Sequence, residues 1–229
     1  MRFKVDIHFN IKDLKINRVT RTLVLADLFL WGGWGIVNPI MGLFIVGRIE
    51  GATILTVGVA SALYWIVKSA FQIPVALYLD RGDGENRDFK ALVCGLVLAG
   101  FSAMIFPIVL TTHGLFLAVF LQAIAYGLYS PAWSAIFSRH LDKDHYAFDW
   151  SLDSTTIGVA SGVAALIGGT LANFFGYDAV FVMTGICSFI SALVLLFVPS
   201  GILISRSTVS KAVAEAQVMP EHTPGTSKS

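Results

Sequence analysis

Charge is scarce in this chain of 229 residues: Asp, Glu, Lys and Arg together make up 14%, against about 25% in an ordinary soluble domain. A water-soluble fold of this size has too little polar surface to cover itself with that allowance. Cysteine is nearly absent as well. Cys94 and Cys187 both sit inside apolar runs, with no CxxC pair and no His/Cys cluster, so neither a disulfide framework nor a metal site is readable. They read as small buried hydrophobes. There is no nucleophile elbow, zinc motif or phosphate-cradling loop. No enzyme and no cofactor is therefore expected. The acidic clusters Asp83-Gly84-Glu85 and Asp142-Lys143-Asp144, with His140 and His145 beside the second, read as solvated loop residues. The basic residues form no stripe of their own, so nucleic-acid binding is not expected.

What the chain has in abundance is hydrocarbon. Hydrophobic residues make up 55% and the mean hydropathy is +0.73. A helix rising 1.5 Å per residue needs about 20 apolar residues to cross a ~30 Å hydrocarbon layer. Six stretches qualify: 22–47, 53–79, 90–110, 115–138, 151–174 and 179–199. The first is too long for a signal-peptide core and is expected to be retained. The fold class expected is all-α, a polytopic bundle of six transmembrane helices over 22–199. A basic interfacial segment, 1–21, should precede it, and a Ser/Thr/Pro-rich, disordered tail, 200–229, should follow it.

The connectors sort by charge. Of the 16 Lys and Arg, only Arg48 falls in the three short connectors near residues 48–51, 111–114 and 175–178, and only Lys68 lies inside a span. The rest occupy the N-terminal segment, the 80–90 and 139–150 connectors and the tail. The positive-inside rule places those segments, and both termini, on the cytoplasmic side of the plasma membrane.

Polar residues within the spans repeat in a three-plus-three pattern. Spans 1 and 2 carry Asp27, Asn38, Lys68 and Gln72. Spans 4 and 5 carry Gln122, Tyr126, Tyr129, Asp153, Thr155, Thr156 and Ser161. Spans 3 and 6 have little beyond serine and threonine and are expected to face lipid. Three helical faces mix aromatics with hydrogen-bonding groups: Asp27, Trp31, Trp34, Asn38; Ser61, Tyr64, Lys68, Gln72; and Gln122, Tyr126, Tyr129, Trp133. Such faces suit the walls of a small-molecule cavity. Asp27, Asn38, Tyr64, Lys68, Gln72, Gln122 and Tyr126 are the expected substrate-contacting residues. Charge at mid-bilayer costs about 2.5–3.5 kcal/mol, so Lys68 and Asp27 need a reason to be there. For Lys68 that reason is anion binding, a proton-sensitive gate or an ion pair. At helical rise Lys68 lies ~18 Å and Asp27 ~9 Å from the charged edge, so a direct pair between them is only just within reach. Gly158, Gly162 and Gly169 share one face of span 5, a spacing that lets helices approach closely.

Leu79-Asp80-Arg81-Gly82-Asp83-Gly84, after span 2, resembles the cytoplasmic signature of the major facilitator superfamily. The run from Gly168-Gly169-Thr170-Leu171 through Tyr177-Asp178-Ala179-Val180-Phe181 resembles its junction of spans 5 and 6. Leu121-Gln122-Ala123-Ile124-Ala125-Tyr126-Gly127 with Pro131 resembles its span 4. Ala165 stands where antiporter members carry Pro, and Val119 where proton-coupled members often carry Arg. The resemblance covers about residues 20 to 200 and implies half of a transporter built from two six-helix units, each an inverted three-helix repeat. Asp80 and Arg81 would then form a cytoplasmic gate motif. It implies a secondary transporter of a small solute by alternating access, completed as a homodimer. The alternatives are one subunit of a split transporter or a non-transporting membrane scaffold.

Overall fold

The computed structural model describes residues 17–82, 85–141 and 145–197. The expected interfacial segment as far as residue 16, Asp83 and Gly84 of the signature after span 2, the 142–144 cluster and the tail from residue 198 lie outside them. The described residues form an all-α membrane bundle. In chain order the helices are α1 (Arg18–Val37), α2 (Met41–Arg48), α3 (Ile54–Asp80), α4 (Asn86–Ile105), α5 (Thr112–Arg139) and α6 (Tyr146–Leu196), with a short 3-10 turn, Phe106–Ile108, closing α4.

The helix starts have local chemical causes. The Asn17 side-chain oxygen accepts from the Val19 N–H at 3.1 Å, and Thr111 Oγ1 accepts from Gly114 N–H at 3.2 Å. The Thr53 N–H donates to Thr56 Oγ1 at 3.0 Å. Each satisfies a polar group that a helix end would otherwise leave open.

Two departures from the sequence reading concern helix continuity. Span 1 is not one rod: α1 stops at Val37, the chain turns through Asn38-Pro39-Ile40, and α2 leaves at 43°. Pro39 has no N–H to give a helical ladder and disfavours helical geometry at the residue before it. Conversely, spans 5 and 6 run on as one element of 51 residues. A straight helix of that length would measure ~77 Å, more than twice the hydrocarbon thickness. It is broken at Gly176, whose φ of 78° is open to glycine without cost. The two arms, 146–175 and 177–196, lie on either side of that break. Among the described residues, four helices are long and apolar enough to cross a membrane, or five with α1 and α2 taken as one bent span.

α1 runs parallel to the first arm of α6 and antiparallel to the second, and α5 runs parallel to α3. α1 lies along both arms of α6, α5 packs between α3 and α4, and α4 also rests on the second arm of α6. Close approach depends on glycine at a few points. A Cβ on Gly168 would stand 2.3 Å from the Ile36 carbonyl oxygen, and one on Gly35 2.8 Å from Ser161 Cα. Gly95 meets the backbone of α5 in the same way.

The serines and threonine of spans 3 and 6 are buried and bonded rather than turned to lipid. Thr184 Oγ1 donates to the Gly33 carbonyl at 2.9 Å, Ser191 Oγ to the Ala26 carbonyl at 2.7 Å, and Ser188 Oγ to the Thr184 carbonyl at 3.0 Å. Ser102 Oγ donates to the Ala99 carbonyl at 2.8 Å. The helices left bare are α3, of which almost nothing is buried, and the first arm of α6.

The connectors segregate to two ends, as their charges predict. At one end Arg48 reaches Asp178 at 3.1 Å and the Pro107 carbonyl at 3.2 Å, and the Glu50 N–H donates to the Leu110 carbonyl at 2.9 Å. At the other, Thr20 Oγ1 donates to the His140 carbonyl at 3.1 Å and Arg139 pairs with Asp88.

Candidate substrate cleft

The three mixed faces converge. The C-terminal half of α1, the N-terminal half of α3 and the N-terminal half of α5 surround a cleft of about 290 Å³. Because α1 runs opposite to α3 and α5, these halves all belong to the Arg48 end of the bundle. Asn38, Tyr64, Lys68, Gln122 and Tyr126 line it, together with Trp31, Trp34 and Trp65.

Tyr126 is the hub. Its ring lies 5.8 Å from Trp31, 6.0 Å from Trp34, 6.1 Å from Tyr64 and 5.9 Å from Tyr129, centroid to centroid, with tilted or edge-on planes. Such geometries are favourable for aromatic quadrupoles. The Lys68 ammonium sits 5.0 Å from the Trp65 ring centre and 5.9 Å from that of Tyr126, inside the range of a cation–π contact. Among the described residues no carboxylate lies within 4.0 Å of it.

Asp27 and Gln72, expected in the same cavity, are not in its wall. Asp27 is 2% exposed. It lies one turn beyond the cleft floor, where it accepts a hydrogen bond from the Tyr129 hydroxyl. The carboxyl group of Asp153, from α6, lies beside it. The Asp27–Lys68 pair does not form. Gln72 lies one turn past Lys68, where α3 crosses Gly127 of α5. Asp153 is the partner that sequence reasoning did not single out. It was visible as a carboxylate within span 5, but nothing in its spacing pointed at Asp27.

Beyond that floor the bundle is closed. Trp133 stacks on Phe137 at 4.5 Å, and Trp150 of α6 packs against both at 5.9 and 4.9 Å. Further out lies an ionic cluster. Arg139 pairs with Asp88 and lies 3.9 Å from Glu85, whose carboxylate is 3.5 Å from His140 Nδ1. Glu85, Asp88 and His140 are all buried. This corrects the reading of Glu85 and His140 as solvated loop residues: they close the end of the bundle. Asp80 and Arg81, the expected gate motif, are exposed and make no ion pair among the described residues. A Cβ on Gly158, Gly162 or Gly169, glycines expected to pack helices, would meet nothing within 4 Å among the described residues. Contact with α1 falls instead to Ser161, Ala164 and Gly168 on a neighbouring face.

The profile of the Major Facilitator Superfamily matches residues 23–219. The chain belongs to the Major Facilitator Superfamily. It is an integral membrane protein of a superfamily of transporters rather than enzymes. An uncharacterized MFS-type transporter of Methanocaldococcus jannaschii is 24% identical over 162 residues, covering 71% of this chain and 40% of that protein. A peptide transporter POT solved in complex with sulfate superposes with a TM-score of 0.68 at 17% identity, over 88% of this chain and 44% of that one. The Escherichia coli fucose:proton symporter FucP superposes with a TM-score of 0.64 at 15% identity, over 82% of this chain and 44% of that one. At those identities the likeness is one of fold. The chain spans less than half the length of each of these three proteins.

Proposed function

We propose that this protein is a secondary transporter that moves a small solute by alternating access, as a pair of six-span units. The observation that carries the reading is the cleft itself. Three spans contribute one polar, aromatic face each to a single concavity in the Arg48 half of the bundle, and the Trp133–Phe137–Trp150 stack fills the Arg139 half beyond it. A mid-membrane lysine in that wall, without a carboxylate partner, is costly to retain unless a ligand uses it. A cavity in one half of the bundle with the other half plugged fits one of the two states that alternating access requires.

The six spans are α1 with α2, α3, α4 with its 3-10 turn, α5 and the two arms of α6. The Lys/Arg distribution puts the sealed end, both termini and the Asp80–Arg81 motif at the cytoplasmic face of the plasma membrane. A second unit covers α3 and the first arm of α6. Bare, those helices would turn Ser61, Thr155 and Asn173 toward hydrocarbon, where each unmatched polar group is expensive. The second unit is a second copy in the same orientation, related by an axis along the membrane normal.

The test is solute counterflow into liposomes containing the purified protein, screened against small organic acids, sugars and dipeptides. Transport is expected, and Lys68→Ala, which alters the cleft wall, should abolish it. Uptake unchanged by Lys68→Ala would remove the cleft from the transport path.

A further inference from the structure

We infer that the cleft selects small planar aromatic carboxylates and rejects organic cations. This deepens the transport reading above and rests on it for the role of the site.

The electrostatic sign of the wall is unbalanced. Its one charged lining residue is Lys68, and no carboxylate is among the residues that line it. Two further donors belong to residues of the wall. The Trp34 indole N–H and the Tyr126 hydroxyl are both buried with no hydrogen-bond partner among the described residues. Buried donors left open cost free energy that an acceptor on a ligand returns. The carboxyl nearest the floor, Asp27, lies behind Tyr126 and is engaged by Tyr129.

The aromatic content sets the shape. Trp31, Trp34, Tyr64, Trp65 and Tyr126 present five rings to one small space. An aromatic box of this kind ordinarily suits a ligand cation. Here the box already holds one: the Lys68 ammonium lies over Trp65 and Tyr126. A second cation would meet both an occupied cage and a like charge in a poorly solvated site. An anion meets the opposite situation, because Lys68 has only ring quadrupoles to offset its desolvation, and a carboxylate offsets it far better. With the carboxylate at Lys68, the remainder of the ligand lies among the rings, where a flat π-system gains most from offset or edge contacts. The cleft volume of about 290 Å³ sits at the lower end of small-molecule sites, about 300–1,000 Å³. That favours ligands of one or two rings.

The experiment is isothermal titration calorimetry of the protein in phosphatidylcholine nanodiscs with four probes of similar size. They are benzoate, cyclohexanecarboxylate, benzyl alcohol and benzyltrimethylammonium. Benzoate is expected to bind, at least tenfold more tightly than any of the other three. Lys68→Gln should weaken benzoate at least tenfold, whereas Lys68→Arg, which keeps the charge, should stay within about threefold of the parent. A normal thermal melt for both variants separates loss of the site from loss of the fold. Equal affinity for cyclohexanecarboxylate, binding of benzyltrimethylammonium as tight as that of benzoate, no heat with benzoate from a cooperatively melting protein, or a Lys68→Gln variant that binds benzoate undiminished would each overturn the inference. Binding is read here without transport. Benzoate bound but never moved in liposomes would sink the transport reading alone, and uptake of another solute with no benzoate binding would sink this one alone.

Discussion

Asp27 is the residue whose placement most changes the picture drawn from sequence. Its depth and its position on the Trp31–Trp34 face made it a cavity residue on paper, yet a single turn of α1 separates it from the cleft. The reason is that the Tyr126 side chain fills the space between the α1 and α5 faces, and everything beyond that ring is core. There Asp27 is held by Tyr129, and the pair should behave as a structural unit. Tyr129→Phe removes the donor while leaving the carboxyl buried, and is expected to lower stability by about 1–2 kcal/mol. The joint change Asp27→Leu with Tyr129→Phe removes both groups of the pair but leaves the buried Asp153 carboxyl without Asp27, so it is expected to recover only part of that loss. Thermal melts in detergent of the two single variants and the double variant read the coupling directly. A Tyr129→Phe protein that melts with the parent would show that this hydrogen bond contributes nothing to the fold.

At the scale of elements, glycine gives the sharpest contrast. Gly168 faces α1, and the methyl group of Gly168→Ala would meet the Ile36 carbonyl oxygen at 2.3 Å. That is a backbone contact and cannot swing aside. Gly168→Ala is expected to push α1 off the first arm of α6 and destabilise the bundle by about 1–3 kcal/mol. Gly158→Ala, one residue type and a few turns away, meets nothing within 4 Å and should leave the melt of a single copy unchanged. Expression level and melting temperature of the two variants, side by side, test the assignment of faces. At the break between the arms, Gly176→Ala forces an L side chain into φ of 78° and should cost about 1–2 kcal/mol. This scale was also the most legible in the sequence. That the chain is a bundle of apolar helices, with its connectors sorted to two ends, follows from hydropathy and charge, which are local. Pairings between distant helices are not local. Arg139 and Asp88 lie 51 residues apart and Asp27 and Tyr129 lie 102 apart, and no periodicity within either helix encodes the other. The cleft was legible because three separate stripes each announced a polar, aromatic face. Its floor was not, because where a stripe leaves the cavity and enters the core depends on which ring blocks the way.

For the molecule as a whole the open question is what lies against α3 and the first arm of α6. Both helices are apolar enough for lipid along much of their length. Ile66 of α3 is 68% exposed and Leu166 of α6 is 79% exposed. Neither, however, is uniformly apolar, and the glycine face of Gly158, Gly162 and Gly169 is bare. In a bilayer the hydrophobic effect does not drive helices together, and small residues that let backbones approach do so instead. A twofold axis along the membrane normal brings α3 of one copy against the first arm of α6 of the other, the arrangement proposed above. In a background with Cys94 and Cys187 replaced by serine, Ile66→Cys combined with Gly162→Cys is then expected to crosslink two chains in native membranes. Leu193→Cys, on the second arm and 55% exposed, is not. Gly162→Leu should shift native mass spectra from dimer toward monomer without lowering the monomer's melting temperature, because the added side chain meets nothing inside one copy. Crosslinks as frequent at Leu193→Cys as at the paired positions would mean that the chains meet by collision rather than through this face. A monomer alone, released from lipid in every spectrum, would leave the cleft with half a wall and return the pairing to a separate six-span partner.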